Sequence, residues 1–154
     1  MTRIIRLTDL EEDALDPLIH EARVEGFRHL DRLRDEYVSG ANRFNKPGEA
    51  LFGVFIDGEM VGIGGLNRDP HDGDGGAGRV RRVYIRSSCR RDGRGRLLME
   101  AIMGAALGHF SRITLHTDSG DAAAFYQALG FVAVATIPGA THSLSLTEPT
   151  SGNR

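Results

Sequence analysis

Between Cys89 and Arg96 the chain reads CRRDGRGR, four arginines and two glycines in eight positions, and then enters a helix at LLME. A helix start exposes backbone N–H groups that have no partner inside the helix, and it carries the positive end of the helix dipole. Glycine just before such a start lets the backbone approach an anion closely, and arginine pairs with phosphate oxygens. Gly93 and Gly95, with Arg90, Arg91, Arg94 and Arg96, could therefore cradle a pyrophosphate; the competing interpretation is a solvated, arginine-rich turn. Two other phosphate loops fit poorly. A Walker A loop needs Gly-Lys-Ser or Gly-Lys-Thr, and the chain's one lysine is Lys46; a dinucleotide fingerprint needs a third glycine, where Leu98 stands.

The charge around this stretch is lopsided. Residues 79–96 hold eight arginines and one acid, Asp92. Residues 1–78 carry 16 acids against 9 bases, and residues 79–154 carry 5 against 10, within a net charge of −2. That pattern suggests one local anionic partner rather than a chain-wide nucleic-acid surface, which is more often basic throughout and needs aromatics among its arginines; only Tyr84 qualifies. The single cysteine, Cys89, excludes an internal disulfide framework and a thiolate metal cluster. His71, Asp72 and Asp74 among glycines read as a solvated loop, so no metal is expected.

The elements that must position these residues follow from period and punctuation. At 154 residues with 40% hydrophobic and 26% charged content, the chain is expected to form one soluble domain over residues 1–147, with a frayed tail over 148–154. Its longest apolar runs, such as ALFGVFI, are too short for a membrane span, and its start lacks a secretory h-region. A cytoplasmic protein is expected. TRIIRL reads as a first strand; Thr8 and Glu11 have capping-box spacing for a helix that Pro17 kinks or restarts with Asp16 as its cap. Phe27, Leu30, Leu33 and Tyr37 mark a second helix before Gly40. Asp57-Gly58 joins two strands in a hairpin, and 67–78 is a Gly/Asp-rich connection. Then come a strand at RVRRVYI, the arginine loop, a helix to about His109, a strand at RITLHT, a short helix at SGDAAAFYQALG and a closing hairpin. The implied class is α/β: a mixed, mostly antiparallel sheet with one parallel crossover through the third helix.

The chain resembles the GNAT family of N-acetyltransferases. Two motifs carry the resemblance: Arg-x-x-Gly-x-Gly, matched by Arg90, Gly93 and Gly95, and an alanine four residues before a tyrosine in a helix closed by Gly-Phe, matched by Ala122, Tyr126, Gly130 and Phe131. The resemblance implies a central sheet whose parallel pair splays apart, flanked by about four helices, with acetyl-CoA as acetyl donor. Backbone groups of Val83, Tyr84 and Ile85 would hold the pantetheine arm as an added strand, and 91–96 would wrap the pyrophosphate. Tyr126 would take the general-acid position; periodicity alone would equally make it a packing residue beside Phe125 and Leu129. Many relatives place a glutamate base on the fourth strand, and RVRRVYI has none. His116 and Asp118 are the nearest candidates by topology; Glu36, Glu49 and Asp69 could reach the cleft from elsewhere, and relayed water would need no named base. Ser119 stands where many relatives place an asparagine that contacts the cofactor, and it suits a helix cap as well. Cys89 is expected to be passive.

The implied function is direct acetyl transfer to an amine, with no nucleic-acid or membrane partner and with room for a homodimer. The alternative is a catalytically weak acetyl-CoA-binding regulatory module of the same fold. Glu25, Asp31, Asp35, Glu36, Asp69, Asp72 and Asp74 suggest an acidic mouth and hence a small cationic amine or lysine acceptor; Arg28, Arg32, Arg34 and Arg43 could bind a carboxylate instead.

Overall fold

In the computed structural model, which describes residues 1–146, seven strands form one sheet in the order β1-β2-β3-β4-β5-β7-β6. The strands are β1 (Thr2–Arg6), β2 (Ala50–Ile56), β3 (Glu59–Arg68), β4 (Ala77–Ile85), β5 (Arg112–Leu115), β6 (Val132–Ala133) and β7 (His142–Ser145). The helices are α1 (Asp16–Val24), α2 (His29–Ser39), α3 (Arg94–Ala106) and α4 (Gly120–Ala128), with one 3-10 turn over Ser87–Cys89. Residue 147 and the tail expected over 148–154 lie outside the described residues. Every neighbouring pair is antiparallel except β4 and β5, whose crossover runs through α3. Among the described residues no helix is long and apolar enough to cross a membrane.

Two cores form because each strand alternates its side chains between the faces of the sheet. On one face Leu98, Met99, Ile102 and Ala106 of α3 pack with Phe52, Val54, Leu66, Val80 and Ile113, and Tyr126 of α4 joins them. On the other face Leu18, Ile19 and Ala22 of α1 and Leu30 and Leu33 of α2 pack with Leu51, Ile63 and Phe44. Gly65 of β3 makes the second core possible. A Cβ there would penetrate the Phe44 ring. Gly65→Val is expected to cost about 1–3 kcal/mol by overpacking, read as a fall in denaturation midpoint.

Three boundaries differ from expectation. The first helix begins at Asp16, not after Thr8, because Pro17 fits the first turn, where its missing N–H costs nothing. Asp16 is its first residue rather than its cap; Leu15 is the cap residue and makes no side-chain cap bond. The third helix stops at Ala106 because Leu107 turns extended, with φ −60° and ψ 134°. The closing hairpin pairs over two residues only, Val132 with Ser143 and Ala133 with His142.

Candidate functional site

The parallel pair is joined over just three residues, Ala77–Arg79 against Arg112–Thr114. Beyond them β4 carries a bulge in which Arg82 and Val83 oppose the single Gly64 of β3. Arg82 sits at φ 62°, a left-handed conformation that a non-glycine residue rarely adopts inside a strand. The bulge reverses the facing of the strand: Val80 packs with α3, whereas Tyr84 packs with α1 and α2. It also frees one edge. The Arg86 N–H bonds the Val61 carbonyl, so Tyr84 is the next residue to pair inward, and the backbone groups of Val83 and Ile85 point away from β3 toward the splay. Both exposed carbonyls are covered by side chains of the chain itself. His29 Nε2 donates to the Val83 carbonyl at 3.1 Å, and Arg90 Nε donates to that of Ile85 at 2.7 Å.

The arginine loop lies at the open end of this edge. Gly93 is the N-cap of α3 at φ 80° and supplies no side-chain cap, so the first N–H groups of the helix face outward unpaired. Arg91 is left-handed as well, at φ 71°. The loop's four arginines divide by partner. Arg90 is held by Glu25 at 2.7 Å, and Arg94 bonds Asp92 at 2.9 Å, Thr2 at 3.2 Å and the Cys89 carbonyl at 3.3 Å. Arg91 and Arg96 are exposed and form no hydrogen bond or ion pair among the described residues. Space for a Cβ exists at Gly93, with nothing within 4 Å; at Gly95 a Cβ would lie 3.2 Å from the Phe125 ring of α4. A pyrophosphate fits this donor set: free helix N–H groups, a curled backbone and two uncommitted guanidinium groups.

Tyr126 is 8% exposed, packed edge-on against Phe125 and Phe131. Burial pushes its phenol up to about 12, so it stays protonated at neutral pH. Its hydroxyl has no hydrogen-bond partner among the described residues and is not one of their fully buried unpartnered polar atoms. Ser119 caps α4, its Oγ accepting from the Ala122 N–H at 3.2 Å. At the end of β5, His116 and Asp118 form an exposed pair, Nε2 to Oδ1 3.1 Å, beside an open cavity of about 490 Å3 lined by His116 and residues 135–141. The other acids considered as bases are engaged. Glu49 accepts from Asn67 at 3.0 Å and from the Arg68 N–H at 2.9 Å; Asp69 accepts from Thr114 at 2.8 Å and the His71 N–H at 2.9 Å; Glu36 pairs with Arg82 at 3.2 Å.

The acidic mouth is largely neutralised by arginine. Glu25 bonds Arg90 and Tyr84, and these bonds hold its carboxyl below the ordinary carboxylate range. Burial opposes ionisation of Glu21, but bonds from Tyr84 at 2.7 Å, the Ser87 N–H at 2.8 Å and Arg86 outweigh it, and its pKa is likewise lowered. Burial, with the same two carboxylates, raises the Tyr84 phenol far above its usual value. Asp31 pairs with Arg23 and Arg34, and Asp72 lies 3.8 Å from Arg112. This network fastens the end of α1 to the strand whose edge is open.

Sequence reasoning missed His29, which opens α2 and is half-buried against the Val83 carbonyl. A carbonyl only accepts, so Nε2 carries the proton and Nδ1 is the free acceptor. Burial, with Arg82 and Arg32 nearby, lowers its pKa below the usual 6.5 and keeps the ring neutral. Nothing in its local sequence distinguishes it from an exposed helix residue. A larger groove, about 640 Å3, runs between Arg6–Leu10 and residues 43–49 at the opposite end of the sheet, away from the loop and Tyr126.

With this geometry in hand, the comparisons agree with one another. The model of the acetyltransferase (GNAT) family matches residues 8–131. A provisionally assigned acetyltransferase from Exiguobacterium sp. 255-15 superposes with a TM-score of 0.86 at 29% identity, covering 100% of this chain and 99% of that one. A GNAT-family acetyltransferase from Staphylococcus aureus Mu50 gives 0.70 at 15% identity, covering 96% and 100%. The ribosomal-protein-S18-alanine N-acetyltransferase of Escherichia coli also gives 0.70 at 15%, covering 98% and 97%; at that identity the last two likenesses bear on the fold alone. No curated protein matches the chain by sequence.

Proposed function

The chain belongs to the GNAT acetyltransferase family, and on that premise we propose that it takes acetyl from acetyl-CoA and passes it directly to an amine. The observation that carries the proposal is one splayed strand pair that offers an uncapped helix start and a free strand edge, with Tyr126, whose hydroxyl has no partner among the described residues, on the helix that follows β5. The N–H groups that open α3, with Arg91 and Arg96, would hold the pyrophosphate. The Val83 and Ile85 backbone would bind the pantetheine amides once His29 and Arg90 share or release their carbonyls. Acetyl-CoA supplies the activated acyl group as a thioester.

Two proton tasks fall to the chain's own residues. Tyr126, protonated at working pH, donates a hydrogen bond where thiolate charge develops. His29, neutral and set against the reacting strand, accepts a proton from the amine at Nδ1. The exposed pair of His116 and Asp118 at the end of β5 is the competing candidate for that proton.

His29→Gln keeps a donor for the Val83 carbonyl and removes the base. Turnover is expected to fall about 10- to 100-fold, and the acid limb of log kcat, which lies below pH 6.5 in the parent, to disappear. His116→Gln is expected to move neither by more than about threefold. The reverse pattern would transfer the base to His116. The same substitution has a stability signature. The folded state holds His29 below its unfolded pKa of 6.5, so the unfolded chain binds more protons and stability is lost as pH falls below 6.5. His29→Gln should flatten that decline. Titration calorimetry with acetyl-CoA, set beside acceptor-dependent thiol release, tests the whole proposal; binding without release would leave the regulatory module instead.

A further inference from the structure

The face of the sheet that carries α1 and α2 holds positive charge that the protein itself does not neutralise. Val80 packs toward α3, and a Cβ on Gly78 would meet Phe110 there, so Arg79 and Arg81 project from the other face. Arg79 is paired in register with Thr114 of β5. Its Nη1 is buried with no partner among the described residues, under a loop where a Cβ on Gly139 would lie 3.0 Å from Nη1 and 2.6 Å from the His71 ring. Arg81 is half-buried and makes no hydrogen bond or ion pair among the described residues. Its charged neighbours are Arg82, Arg79 and Arg32, with Glu36 as counter-charge, and Glu36 already binds Arg82. Arg82 is 9% exposed and leaves its Nε unpaired. Asp69, buried nearby, turns both oxygens to Thr114 and His71 and has no arginine within ion-pair distance.

A guanidinium removed from water without a partner is costly, and the cost is recovered when an anion arrives. Burial, with Arg82, Arg79 and Arg32 nearby, lowers the Arg81 pKa. A cationic amine entering here would meet like charge on three arginines. Resting on the acetyl-transfer proposal above, we infer that the acceptor bears an oxyanion, a carboxylate or a phosphate, beside its amine, with Arg81 as the principal contact and Arg79 reinforcing it beneath the 134–141 loop. Arginine suits this role because its fork matches either oxyanion in a bidentate way. The groups lie on the side of β4 where His29 reaches Val83, so an amine tethered to the bound oxyanion stays on the base's side of the splay.

The test uses the full chain and matched amines: amino acids against their α-amides, aminoalkyl phosphates against the alcohols, and diamines. Acetylation is followed by thiol release, and binding by calorimetry in the presence of free CoA. An anionic member is expected to exceed its neutral counterpart at least ~30-fold in kcat/KM, and the carboxylate and phosphate arms tell which oxyanion is preferred. Arg81→Gln should erase most of that preference through KM, Arg79→Gln part of it, and Arg81→Lys should restore a fraction. Retention of the acetyl-CoA melting shift in each variant certifies the fold. Equal or better turnover of neutral amines or diamines would overturn the inference and leave acetyl transfer standing. Binding of an anionic amine that weakens in Arg81→Gln, with no turnover of any amine, would uphold the site and refute transfer. Neither binding nor turnover of any anionic amine would overturn the inference.

Discussion

Replacing Tyr126 with phenylalanine will lower kcat by roughly 100-fold, about 2.7 kcal/mol of transition-state stabilisation, while the acetyl-CoA dissociation constant changes less than about threefold. The ring is the part that packs: it meets Phe125 and Phe131 in the core under α3, and phenylalanine preserves those contacts. The hydroxyl is the part left over, without a hydrogen-bond partner among the described residues. The hydroxyl makes no hydrogen bond within the described residues that its loss would break, so the variant should melt at about the same temperature. A catalytic loss with unchanged stability separates a thiolate donor from a core residue. Because burial holds the phenol near 12, its ionisation should impose no alkaline limb on kcat below about pH 10. Parent-like turnover on a verified acceptor would return Tyr126 to packing alone.

The second large effect lies in the arginine loop. Gly95→Leu sets a Cβ 3.2 Å from the Phe125 ring, which must give by a few tenths of an ångström, and adds the bulk of the leucine side chain at the helix start. Gly93→Val puts a branched side chain at φ 80° and projects it into the open space before the free N–H groups. Each is expected to weaken acetyl-CoA at least ~100-fold, so ligand at ~100 times the parent dissociation constant, which stabilises the parent by about 2.7 kcal/mol, adds only about 0.4 to the variant. The arginines provide an internal control. Arg91→Ala and Arg96→Ala should each weaken the cofactor about tenfold, more at low salt than at high. Arg90→Ala and Arg94→Ala, whose guanidinium groups are spent on Glu25, Thr2 and Asp92, should chiefly lower the melting temperature. Four equal effects on cofactor affinity would mean that the division by partner is wrong.

Much of the fold was legible because local chemistry and tertiary structure agree. The turn at Asp57-Gly58, the left-handed Gly40 after α2 and the Ser119 cap of α4 each stand where residue type alone put them. The crossover through α3 follows from the order of elements. What escaped was set by contacts distant in sequence. RVRRVYI looks like a plain alternating strand, and nothing in it announces that Arg82 and Val83 share one partner and that facing reverses after them. The eight arginines of 79–96 formed a single stripe in the sequence. In the fold they separate into Arg79, Arg81 and Arg82 on the α2 face, Arg86 and Arg90 fastened to Glu21 and Glu25, Arg94 holding the loop, and Arg91 and Arg96 left free. The acids of the N-terminal half looked like an open mouth for the same reason: pairing between Glu25 and Arg90 spans 65 positions and cannot be read from spacing. His29 became visible only through the Val83 carbonyl, 54 residues away.

Acetyl transfer through the splay between β4 and β5 is tested most directly by one coupled measurement. The protein is mixed with acetyl-CoA and a panel of primary amines; free thiol is followed optically, and the amines are recovered for mass spectrometry. The account predicts thiol release that depends on one or a few amines, equal mole for mole to the N-acetylated product, and reduced by roughly 100-fold in both Tyr126→Phe and Gly95→Leu at subsaturating acetyl-CoA. Release at the same rate with and without amine, or an acetylated product formed equally well by both variants, would contradict it.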